Sequence, residues 1–341
     1  MKREPALDGL RALAILFVVV FHAYPDNFPG GWIGVEIFFV LSGFLITSIL
    51  KRELEKTGRV SYPHFYWRRI LRLMPAVACL YAFELLRAVH SAHRSEILLA
   101  TMSSALYFMN WSRAFDLLPH DVLGHTWSLS VEEQFYMVWP FILRFIYRRK
   151  PVLWLSAALC LVIAWRCWLV AHGASSSRTY NGIDTHADGL LIGGLLAFAP
   201  ARVHSRLALF CWPALATLAV LFAVAASDTP TMQMVGLSAA ACCGAALVSG
   251  GLRSGSLIRV LSLRPLIFTG EISYGWYLWH YPLLELARFK GVRGWRVGLV
   301  ILISYLVAVC SRFLVELPFL KYRSREPFGR QRSMAGGPRL S

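Results

Sequence analysis

Apolar residues run along this chain in blocks too long for the one-sided faces of water-soluble helices. Eleven such blocks are found, approximately 10–24, 32–50, 71–89, 97–111, 131–147, 152–171, 187–199, 207–226, 232–249, 268–287 and 297–315. A bilayer is crossed by about 20 apolar residues, and backbone groups in lipid must be satisfied within the segment, so each true span is expected to be helical. The first block begins close enough to the start to suggest a cleaved signal peptide. The second block follows at once without a small-residue cleavage site, so the first is read as a retained span.

Charge decides which blocks cross. With Lys2 and Arg3 inside, the connection between the second and third blocks is also inside, and it carries seven Lys and Arg against Glu53 and Glu55. The next basic cluster is Arg148, Arg149 and Lys150. For that cluster to be inside as well, one of the two intervening blocks must fail to cross. Block 97–111 is short and holds Thr101, Ser103, Ser104 and Asn110, so it is expected not to span. The predicted fold is therefore all-α, a polytopic membrane helix bundle of about ten transmembrane helices with both termini cytoplasmic. Residues 1–322 form the membrane domain and 323–341 a disordered basic tail. One outer loop, with Arg288, Lys290, Arg293 and Arg296, runs against the charge rule.

Composition agrees with this reading: 57% of the 341 residues are hydrophobic, 16% are charged, and mean hydropathy is +0.52. The net charge of +16 then marks cytoplasmic loops rather than a nucleic-acid surface, because no basic helix with interleaved aromatics lies outside the blocks. The seven cysteines all lie in apolar blocks without metal-ligand spacing, and no metal is predicted.

Ionisable groups inside a span are costly and point to function. The first span holds Asp8, Arg11 and His22; Arg11 and His22 share a face, about three turns or 16 Å apart. The second span adds Glu36 soon after a short turn, so His22 and Glu36 are expected at similar depth and within hydrogen-bonding reach. A carboxylate beside an imidazole suits a general base acting on a hydroxyl. At the same outer level come Trp127, Ser128, Glu132 and Tyr136 before and within the fourth span, Asp184, His186 and Asp188 at the sixth, and His280 in the ninth. A polar pocket walled by aromatics there suits a sugar. At the inner face Arg68 or Arg69 with Arg72 forms a cationic patch at helical spacing, which taken alone reads as ordinary positive-inside anchoring.

In order along the chain, Leu7-Asp-Gly-Leu-Arg-Ala12, His22, Gly34-Val-Glu-Ile-Phe-Phe-Val-Leu-Ser-Gly43 with Phe44, Arg68-Arg-Ile-Leu-Arg72, Trp127-Ser-Leu-Ser-Val-Glu132-Glu-Gln-Phe-Tyr136, the stretch from Asp184 to Ala197, Ser273-Tyr-Gly-Trp-Tyr-Leu-Trp-His280 and Glu316-Leu-Pro318 resemble the acyltransferase-3 family of membrane O-acyltransferases. The resemblance covers about 7–322 and includes O-antigen and exopolysaccharide O-acetyltransferases. It implies an acyl group, most commonly acetyl, taken from cytoplasmic acyl-CoA and delivered to an extracytoplasmic hydroxyl. Arg11 and His22 match the family's arginine, ten residues, histidine pattern, and Arg68, Arg69 and Arg72 become contacts for the CoA phosphates. Two departures are evident. Many relatives carry arginine where His186 stands, and many add an esterase-like domain for which there is no room after Tyr322.

The expected enzyme is thus an inner-membrane acyltransferase. Arg11, Arg68, Arg69 and Arg72 hold acyl-CoA (acetyl-CoA foremost), and His22 with Glu36 acts as the base. Trp127, Ser128, Glu132, Tyr136, Asp188 and His280 receive a carbohydrate or glycolipid acceptor. Its partners are the bilayer and envelope-glycan assembly proteins, not nucleic acid. A multi-pass transporter of an envelope glycan precursor is the alternative, against which stands the lack of an internal repeat or of paired broken spans. A catalytically silent scaffold is a third reading.

Overall fold

The computed structural model describes residues 4–118 and 122–324. Among them every regular element is helical. The tail expected at 323–341 lies outside the described residues, apart from a closing turn at Lys321–Ser324. The chain opens with α1 (Pro5–Ala23), α2 (Ile33–Thr57) and α3 (Tyr62–Val89), followed by the short α4 (Arg94–Ala105) and α5 (Met109–Ala114). Next come α6 (Trp127–Ile146), α7 (Pro151–Ala171), α8 (Ser176–Asn181), α9 (Ile183–His186), α10 (Asp188–Phe198), α11 (Ala201–Ala208) and α12 (Cys211–Val224). The last third holds α13 (Leu237–Arg253), α14 (Gly255–Leu261), α15 (Arg264–Phe289), α16 (Arg296–Cys310) and α17 (Leu317–Leu320). One π-helical segment leads into α13 and another joins α16 to α17.

Among the described residues, five helical segments are long and apolar enough to cross a membrane, and the pair α11 and α12, bent by 55°, makes a sixth if it is one span. Helices α3, α6 and α15 are as long but lack so apolar and charge-poor a stretch, and the block at 187–199 yields only the 11-residue α10. The block at 97–111 is divided: Tyr107, at φ 53°, ends α4, and the chain restarts as the 6-residue α5. Twelve residues of helix reach about 18 Å, too little to span.

Helix α1 lies at the centre, between α2 and α15, and close backbone approaches set the registers. A side-chain carbon on Gly34 would fall 2.3 Å from the Ala14 carbonyl, and one on Gly270 would strike the backbone of Asp8. Helix α10 packs against α2 in the same way, with Gly43 against Leu190 and Gly193 against Val40. Small residues at such crossings let membrane helices meet backbone to backbone. By contrast, α7 and the run from α16 to α17 bury little of their apolar surface, as lipid-facing helices do.

The α1–α2 register corrects one expectation. Because Gly34 lies level with Ala14 and Val18, Glu36 falls about 12 Å below His22 along the bundle, and it turns towards α10. Its partner is His186, whose Nε2 is 2.5 Å from Glu36 Oε1. Beside them the fully buried Arg166 of α7 donates to Asp188 Oδ2 at 3.0 Å, to Ser238 Oγ at 2.7 Å and to the carbonyl of Thr185 at 2.8 Å. Glu36, His186 and Asp188 are close enough together to hold a metal ion. With Arg166 already present, the group reads as an ion network in which two carboxylates meet two basic side chains.

Candidate active site

Two cavities enter the bundle around α1. The outer one, of about 260 Å³, is lined by His22 near the end of α1, by Trp127 at the start of α6, and by Arg113, Tyr180 and Asn181. Arg113 donates from Nε to Asn181 Oδ1 at 3.2 Å, and its carbonyl accepts from Ser177 Oγ at 2.7 Å, so both its side chain and its backbone are tied to α8.

His22 meets histidine, not carboxylate. His280 Nδ1 lies 3.0 Å from the carbonyl of Trp276, which can only accept, so that nitrogen carries the hydrogen. For neutral rings, Nε2 of His280 then accepts from His22 Nδ1 at 3.0 Å, and His22 Nε2 is left with its lone pair. Arg288 donates to the His22 carbonyl, and the ring of Tyr281 stands edge-on to the imidazole at 4.9 Å. His125, in the turn before α6, stacks on Tyr281 and borders His280. Burial, reinforced by His280, pushes its imidazole well below the ordinary range. A neutral imidazole with a fixed tautomer and an open lone pair is suited to take a proton from a hydroxyl.

The inner cavity, of about 240 Å³, is basic. Arg11, Arg69 and Arg72 line it, together with Ser42, Glu132 and Tyr136. Arg11 is bonded to Asp8 at 2.8 Å. Arg69 is bonded to Glu133 at 2.7 Å and lies 3.4 Å over the ring of Tyr136. Glu132 accepts from Ser42 Oγ at 2.7 Å. Arg68 does not line this cavity: one residue along α3 is about 100° around the helix, and the pair facing inward is Arg69 with Arg72.

The set expected to receive an acceptor is therefore divided. Trp127 lines the outer cavity, while Ser128, Glu132 and Tyr136 line the basic inner one, because α6 carries them up to about 14 Å deeper. His280 stands behind His22, and Asp188 belongs to the ion network. Sequence reasoning missed Arg113 and Tyr180, which carry no signal beyond ordinary loop or aromatic-belt composition, and met Tyr277 only inside the motif that ends at His280, without giving it a role. Arg166 had a signal, since it is a charge inside an apolar block like those that drew attention to His22.

A family model described as an acyltransferase domain matches residues 4–315. The chain is 32% identical to the peptidoglycan O-acetyltransferase OatA of Listeria monocytogenes, over 94% of this chain and 56% of that protein. It is 33% identical to the putative peptidoglycan O-acetyltransferase YrhL of Bacillus subtilis, over 92% and 54%. The O-acetyltransferase OatA of Staphylococcus aureus is 30% identical, over 93% and 57%. The chain thus spans about half the length of these relatives. No solved structure matches it.

Proposed function

We propose, from the premise that this chain belongs to the acyltransferase domain family, that it is a membrane O-acyltransferase moving an acetyl group from acetyl-CoA to a hydroxyl of a carbohydrate acceptor. The observation that carries this reading is the pair of cavities, one with three arginines and one with His22, which meet at shared residues in the middle of the bundle. Coenzyme A carries a diphosphate and a ribose phosphate, and arginine forks match such oxygens. Arg11, Arg69 and Arg72 take the phosphates from the cytoplasmic side, and the thioester end rises between α2 and α15. In the outer cavity His22 Nε2 takes the proton of the acceptor hydroxyl. The hydroxyl oxygen bonds to the acyl carbon, the carbon–sulfur bond breaks, and the imidazolium returns its proton to the leaving thiolate. Trp127 and Tyr180 offer ring faces to the sugar, and Arg113 and Asn181 offer polar contacts. The names of the relatives favour a peptidoglycan-type glycan in the cell envelope. The inner membrane, with both termini cytoplasmic, is the location this reading requires.

Binding of radiolabelled acetyl-CoA to the purified protein in detergent tests the donor site. Arg72→Ala is expected to weaken it by about 10–150-fold, the loss of one charge-assisted hydrogen bond. Equal binding by wild type and variant would remove the donor assignment. His280→Phe is expected to lower kcat by about 100-fold or more with donor affinity unchanged, because His22 loses the acceptor that fixes its tautomer. His280→Gln, which keeps an acceptor, should recover part of that loss. A fall in donor affinity with kcat preserved would show that His280 does not act through His22.

A further inference from the structure

The two cavities end on the same side chains. Val35 of α2 and Tyr277 of α15 line both, while Trp127 borders only the outer cavity and the adjacent Ser128 only the inner one. The Tyr277 hydroxyl lies 2.5 Å from the carbonyl of His125, to which it donates its single hydrogen. Ser128 Oγ, 2.6 Å from the same hydroxyl, must then be the donor to Tyr277. The ring is thus tied to the start of α6 by two hydrogen bonds, and Phe38 meets its face edge-on from the inner side. The other shared residue, Val35, is a β-branched side chain on a helix, which has one strongly preferred rotamer. Neither wall can swing aside without breaking a hydrogen bond or leaving its rotamer.

We infer that Val35 and Tyr277 form a neck that selects the acyl group by size, admitting acetyl and discriminating against longer chains. The inference rests on the proposed acetyl transfer. If the thioester is held from the arginine side and His22 lies on the other, the acyl end must enter the neck. There its carbonyl carbon bonds to the acceptor oxygen, and the thiol leaves on the inner side. An apolar wall typically discriminates by about 10–200-fold for each methylene. The selecting elements are an aliphatic branch and an immobilised ring, so the property is read as a ratio of rates on a homologous series, independent of the acceptor.

The test measures thiol release from acetyl-, propionyl- and butyryl-CoA by the purified protein, with a chitooligosaccharide as acceptor. Wild type should lose about tenfold or more per added methylene. Val35→Ala should raise the butyryl-to-acetyl ratio by about tenfold or more. Val35→Phe should lose turnover on all three thioesters while still binding CoA at the arginine cavity. An unchanged ratio in a Val35→Ala protein that still turns over acetyl-CoA overturns the neck and leaves the acetyl-transfer reading standing. A wild type that releases thiol from none of the three overturns that reading and the neck with it.

Discussion

Replacing His22 by alanine is expected to reduce acetyl transfer by about 10²–10⁴-fold, the usual contribution of a positioned general base. Donor binding should stay near the wild-type value, because the arginine cavity lies about three turns of α1 below. The split between binding and turnover matters more than the size of the loss, since misfolding would lower both. The two groups first suspected of sharing its role do not take its place. His280 Nδ1 is committed to the carbonyl of Trp276, and Glu36 faces α10. Labelled acetyl-CoA supplies both readouts from one preparation. An alanine variant with full transfer would show that the proton leaves by another route.

The largest expected effect on stability belongs to Arg166. Its side chain is fully buried, and with His186 it offsets the carboxylates of Glu36 and Asp188. Arg166→Leu leaves Asp188 without its cation, and breaking a buried pair in this way costs about 3–5 kcal/mol. Thermal unfolding in detergent should show a clearly lowered midpoint. The double variant Arg166→Leu with Asp188→Leu should recover much of the loss, because removing both partners of a buried pair is often close to neutral. An unchanged midpoint for the single variant would mean that the network does not hold α7 against α10.

The helical fold was legible in the sequence because the bilayer imposes a coarse rule: long apolar runs must be helical. Block 97–111 was expected not to span because it is short and holds serines and a threonine; its break into α4 and α5 was not foreseen. His22, Arg11, Arg69 and Arg72 stood out as charges or imidazoles in or beside apolar runs, and they line the two cavities. The partners of His22 were not legible. Proximity in sequence suggested Glu36 across a short turn, but the direction of a side chain around a helix depends on which neighbour packs there. Gly34 sets α2 deep against α1, and Gly270 brings α15 to the opposite side, delivering His280. Likewise Glu132 and Tyr136 looked like outer residues because their motif opens a span, although helical rise carries them to the basic cavity.

The bond between His22 and His280 joins residues 258 positions apart. A ribosome adding about 5–20 residues per second needs roughly 13–50 s to cover that distance. The first helix is therefore inserted long before the side chain that fixes its imidazole exists. Arg288, which holds the His22 carbonyl, is made later still. Until α15 arrives, a nascent chain has the histidine but no fixed tautomer and no Tyr277 wall. The surroundings of His22 are thus completed by the order of synthesis, when the last third of the chain packs against the first.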